Sequence, residues 1–164
     1  SVMAGHIQTI LNAGKGPVLR TERRELQQLQ DEDGGNMLFY SEDEEMIGIL
    51  VEKGLDVNWK DQNQWTPLLK ASREGKLSTA TALLKHRAEI NAQDEDGNTA
   101  LMQASIYNHV DVIKLLLEEM ADVTVQNTMG KTALDYTRFR NAELAASLEE
   151  AFKGPALTKS AVMK

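Results

Sequence analysis

The sequence has no cysteine, which excludes disulfides and thiolate chemistry. Aromatics make up only 5% of its 164 residues, so a core has to be built from Leu, Ile, Val, Met and Ala. Basic residues are outnumbered, 18 against 25 acidic ones, and the net charge of −7 argues against a phosphate-backbone ligand, which needs a basic surface. No apolar run approaches the roughly 18 residues that a membrane-spanning helix requires. Residues 1–14 also lack the basic start and apolar stretch of a secretory signal. These absences lead us to expect one cytosolic or nuclear domain, monomeric on its own, with no nucleic-acid partner and no membrane insertion.

Catalytic patterns are missing as well. His6, His86 and His109 never stand four apart, and no serine sits in a Gly-x-Ser-x-Gly elbow. Gly130-Lys131-Thr132 resembles the end of a phosphate-binding loop, but Val125 stands where that loop needs its first glycine. Asp94-Glu95-Asp96-Gly97-Asn98 hints at a calcium loop, yet its glycine comes too early and no glutamate closes it, so a plain turn is expected. No catalytic residue, cofactor or metal site is expected.

What the sequence does have is a period. Thr66, Thr99 and Thr132 stand 33 residues apart, as do Leu68, Leu101 and Leu134, and Leu50, Leu83 and Leu116. A fixed step of roughly 20–50 residues signals stacked structural repeats rather than one closed core. The repeats divide as 31–60, 61–93, 94–126 and 127–152, with 1–30 as an N-terminal helical cap or arm and 153–164 as a flexible tail. In the arm, His6 to Leu11 has helical spacing, and Thr21 is placed to cap a helix from Glu22 to Gln30.

Each full repeat reads as two helices. Thr66-Pro67 supplies an N-cap followed by proline at the first helical position, and Gly75 ends that helix before Leu77–His86 begins the next. The first repeat is short: Leu38 to Asn58 spans 20 positions, where Leu68 to Asn91 and Leu101 to Thr124 span 23. Its first helix should therefore be a stub, with Ser41 or Asp43 capping Glu44–Glu52. In the fourth repeat Asn141 takes the turn, Leu144, Ala145 and Leu148 face the core, and Glu149 replaces the apolar Leu117, giving the last unit a polar outer face.

Thr66-Pro67-Leu68-Leu69-Lys70-Ala71, Thr99-Ala100-Leu101-Met102-Gln103-Ala104 and Thr132-Ala133-Leu134-Asp135-Tyr136-Thr137 resemble the Thr-Pro-Leu-His-x-Ala box of ankyrin repeats. Lys53-Gly54-Leu55-Asp56-Val57-Asn58 is similar to the family's repeat ending. The resemblance implies an all-α solenoid of about four helix-turn-helix repeats with β-hairpin-like turns. The box histidine is absent, replaced by Leu69, Met102 and Asp135. Arg87 and Met120 stand where Gly54 takes a left-handed helix end, and both are expected at positive φ, at a cost on the order of 1 kcal/mol each. Gln64 likewise stands where Gly97 and Gly130 mark the hairpin turn. Leu50–Asn58 and Leu83–Asn91 resemble the family context for asparagine hydroxylation.

The resemblance also implies a function: a non-enzymatic adaptor or scaffold gripping a partner protein on its concave side. The alternative is a regulatory or substrate-recruiting domain of a larger enzyme or channel. The hairpin positions map to Lys60, Gln62, Asn63 and Trp65, then Gln93, Glu95, Asp96 and Asn98, then Gln126, Thr128, Met129 and Lys131. The inner-helix flank maps to Arg73, Glu74, Ile106, Tyr107, Phe139 and Arg140. Aromatic, Met and Arg side chains are the ones interfaces favour, and Trp65, Tyr107 and Phe139 are the expected central anchors. Trp59 is expected to pack into the neighbouring repeat instead. The acids Asp31, Glu32, Asp33 and Glu42 to Glu45 read either as a solvated face or as a site for a basic partner.

Overall fold

The computed structural model describes residues 20–138 and 140–153. The helix expected around His6 and the tail expected beyond Lys153 lie outside them. The first described helix, α1, is Arg20–Gln28, so Thr21 lies within it rather than before it. Leu26 is buried in the core and Leu29 packs against it, which docks α1 through its thin apolar stripe.

The first repeat opens with a single 3-10 turn, Met37–Phe39, because three residues are missing. Asn36 caps it by accepting from Leu38 N at 3.0 Å. Asp43 then caps α2, Glu44–Glu52, by accepting from Met46 N at 3.0 Å. The second repeat holds α3, Pro67–Glu74, and α4, Leu77–Lys85. The third holds α5, Ala100–Ile106, and α6, Val110–Glu118. Thr66 and Thr99 cap α3 and α5 through backbone N–H groups three residues on, at 3.3 Å each. The fourth holds α7, Ala133–Thr137, and α8, Ala142–Lys153. There Asp135 reaches back to Thr132 N at 2.8 Å, and Asn141 accepts from Leu144 N at 3.0 Å.

The helices stack in two rows. The 3-10 turn, α3, α5 and α7 lie side by side in an inner row, and α2, α4 and α6 follow in an outer row. Within each repeat the two elements pack on each other, the last pair being α7 and α8. The core runs between the rows: Leu50, Leu83 and Leu116 are fully buried, one per outer helix, with Leu68 and Leu101 facing them from the inner row. Each such side chain stabilises the stack by about 1.5–3 kcal/mol relative to exposure. Leu144 and Leu148 close the core, while Glu149 on the last unit meets Arg138 at 3.5 Å.

The outer helices end alike. Leu55, Ala88 and Ala121 N donate back to Leu50, Leu83 and Leu116 O at 2.9–3.0 Å. That closure requires a left-handed residue just before, which Gly54 (φ 93°), Arg87 (φ 65°) and Met120 (φ 64°) provide. Arg87 and Met120 thus adopt the strained conformation expected of them, and Gln64 does so at the hairpin (φ 61°). Neighbouring repeats are also tied by asparagines: Asn58 Oδ1 accepts from Glu89 N at 2.7 Å, and Asn91 Oδ1 from Asp122 N at 2.9 Å. Trp59, expected to pack into the neighbouring repeat, instead bonds within its own: its indole N–H donates to Gly34 O at 2.8 Å. Among the described residues there is no strand, and no helix is long and apolar enough to cross a membrane.

Candidate functional site

The hairpin tips are built from one device used four times. Asp31, Asp61, Asp94 and Asn127 each turn Oδ1 onto the backbone N–H groups two and four residues on, at 2.7–3.0 Å. An Asx side chain that satisfies its own turn in this way fixes the loop without a strand ladder. Successive tips are then bonded to each other: Gln62 N to Asp33 O at 2.9 Å, Glu95 N to Asn63 O at 3.2 Å, and Thr128 N to Asp96 O at 2.9 Å. With the backbone polar groups spent inward, the tip side chains face solvent from a fixed frame.

A second device braces the tips from the inner row. The residue nine positions after the Asx residue reaches back to it. Tyr40 O–H donates to Asp31 Oδ2, Gln103 Nε2 donates to Asp94 Oδ2 at 2.8 Å, and Asn127 Nδ2 donates to Tyr136 Oη at 2.7 Å. Both oxygens of Asp94 are therefore engaged inside the protein. The Asp31 hydrogen bond, together with burial, pushes the Tyr40 phenol up to about 12. Burial pushes the Asp31 carboxyl up, but the Tyr40 hydroxyl and the Gly35 and Asp33 N–H groups outweigh it and hold it below the usual range. The second repeat breaks the pattern. Lys70 occupies the brace position, and its ammonium sits 4.1 Å over the Tyr40 ring instead.

Arg73 is the centre of the inner flank. Its guanidinium lies 5.3 Å from the Trp65 ring and 5.4 Å from the Tyr107 ring, so it bridges the second and third repeats. Tyr107 stacks on His109 at 6.3 Å, and His109 Nε2 is 2.8 Å from Arg73 O, closing the cluster. Trp65 is half-buried against the core, whereas Tyr107 is 46% exposed and offers a free aromatic surface.

Most of the other expected contact residues are at the surface. Lys60, Gln62, Asn63, Glu95, Asp96, Thr128, Lys131 and Arg140 are exposed, as is Met129 at 69%. Ile106 is half-buried, and Glu74 is exposed but held by Lys76 at 2.8 Å. Phe139 lies outside the described residues. Asn98 is a correction: it is 7% exposed, because its Oδ1 accepts from Asn127 Nδ2 at 2.8 Å between two tips, so it offers no surface to a partner. Sequence reasoning missed Tyr40, Lys70 and His109 as parts of this face. The signal for Tyr40 was the nine-residue step shared by Asp31/Tyr40, Asp94/Gln103 and Asn127/Tyr136.

A family model described as ankyrin repeats (3 copies) matches residues 22–94, and one described as ankyrin repeats (many copies) matches residues 83–136. A comparison with curated proteins found no match. The two matches run continuously over residues 22–136, across the stacked helix pairs described above, and the chain belongs to the ankyrin-repeat family.

Proposed function

We propose that this chain acts as an adaptor or scaffold, gripping a partner protein across its hairpin tips and inner-helix flank. Trp65, Arg73 and Tyr107 are the central anchors, and Lys60, Gln62, Asn63, Glu95, Asp96, Thr128, Met129, Lys131 and Arg140 form the rim. Ankyrin repeats are in general protein–protein interaction modules. The observation that carries the reading is the Arg73 guanidinium held between two rings of neighbouring repeats. Trp, Tyr and Arg dominate interface energetics, and a side chain fixed before binding loses little entropy on binding.

The test is a Trp65→Ala, Tyr107→Ala double variant, checked for its helical circular dichroism and then used to capture partners from the native cell. The fold is expected to persist and the partner to be lost, since central anchors of this type each contribute roughly 2 kcal/mol or more. A folded variant that captures the same protein as the wild type would overturn the assignment. Arg73→Ala, which removes no packed ring, is the companion variant and should weaken capture in the same direction.

A further inference from the structure

Arg73 stands in the last turn of α3, its guanidinium 5.3 Å from the Trp65 ring and 5.4 Å from the Tyr107 ring. Its backbone is held as well. Arg73 O lies 2.8 Å from His109 Nε2, and a Cβ on Gly75 would come within 2.5 Å of His109 Nδ1, so the third repeat packs tightly on this helix end. Yet the guanidinium makes no hydrogen bond or ion pair among the described residues. The acid beside it in sequence is drawn away: Glu74 meets Lys76 at 2.8 Å, and Lys76 also holds Glu42 at 2.7 Å. Lys70, one turn earlier on α3, differs, because it lies over Tyr40 and its charge is set against Asp31. Arg73 is therefore a cation fixed by two rings, with N–H donors that the fold leaves open. On the side of the first two tips, Asp31, Asp33 and Asp61 line a hollow of about 260 Å³ and would repel another carboxylate. Toward the third repeat the inner row offers Ile106, half-buried, and Tyr107, 46% exposed, neither of them charged.

We infer that Arg73 takes an aspartate or glutamate side chain of the partner protein, approaching from the third-repeat side, with an apolar neighbour of that residue covering Ile106 and Tyr107. Aromatic rings suit the flat faces of a guanidinium, and its N–H donors point from the edge, where a carboxylate accepts two of them at once. Because the rings order the side chain before binding, little rotamer freedom is left to lose. Arg140, exposed and 33 residues after Tyr107, gives the same flank a second cation one repeat on. This rests on the concave-face reading above and names the chemistry of the partner it would grip.

The experiment selects random peptides displayed on phage against the wild-type chain, then measures synthetic versions of the enriched ones by fluorescence anisotropy. The peptides are amidated at the C-terminus, so that only a side chain can supply the carboxylate. On a chain of net charge −7 non-specific attraction favours basic peptides, so an acidic selection reports a local contact. Enriched peptides should share an Asp or Glu, and changing it to its amide should lower affinity for the wild type about tenfold or more. On Arg73→Gln the same change should cost nothing further, because the charge it pairs with is gone. Trp65→Ala with Tyr107→Ala is measured in parallel. Peptides that need those two rings but tolerate the amide, or carry only basic residues, would overturn the carboxylate while leaving the concave-face reading standing. An acid that matters equally on Arg73→Gln would overturn the role of Arg73. Peptides indifferent to the rings and to the acid would overturn both readings, and a failure to enrich any peptide counts against the inference. Arg73→Gln keeps the carbonyl that meets His109. Should that variant melt early, the amide change on the peptide alone carries the test, since it leaves the chain untouched.

Discussion

Leu83→Ala will lower the stability of the chain by roughly 2–5 kcal/mol, read as a fall in the urea midpoint. Leu83 is fully buried in α4, the middle helix of the outer row, which packs on α2 on one side and α6 on the other. Truncating it removes transfer free energy and leaves a cavity that two neighbouring repeats share. In a stacked array each unit is held by its neighbours, so a defect in the middle weakens two interfaces rather than one. Leu77→Ala is the control: that side chain, on the same helix, is 41% exposed, and its loss should cost well under 1 kcal/mol. Equal shifts for the two variants would mean that the core does not run between the rows as described.

Gly97→Ala should cost about 2–4 kcal/mol, and Gly130→Ala only about 1 kcal/mol. Both glycines stand at the same tip position with positive φ, 77° and 69°. A Cβ at Gly97 would lie 3.0 Å from both Asn127 Cα and Thr128 N, backbone atoms of the next tip that cannot swing aside. Thr128 N is also the group that donates to Asp96 O, so yielding would break the bond between tips. At Gly130 nothing lies within 4 Å, and only the left-handed backbone is penalised. Thermal or urea unfolding of the two variants checks the difference, and matching losses would contradict the tip-to-tip packing.

Much of the fold is legible in the sequence because stacking repeats a side-chain role at a fixed step. Leu50, Leu83 and Leu116 have the same job, so their spacing alone places them. The stub that opens the first repeat follows from three missing residues, and the strain at Arg87 and Met120 follows from Gly54 standing at the same place one and two repeats earlier. The site is less legible, because its contacts cross repeats and do not follow the step. Arg73 meets Tyr107 only because α3 and α5 lie side by side, and no local pattern says that Trp65 turns toward the same guanidinium. Asn98 occupies a tip position, yet the amide of Asn127 draws it inward, a pairing set by how two tips meet. Tyr40 is less legible because the first repeat departs from the box pattern, and only its nine-residue step from Asp31 marks the brace.

The most direct test of concave-face binding is to titrate the isotope-labelled chain with the partner captured from its native cell and follow amide and indole resonances by NMR. Binding on this face predicts shifts at the Trp65 indole, at Arg73 and Tyr107, and along the tips at Asn63 and Asp96. Shifts confined to the outer row, on α2, α4 and α6, would contradict it.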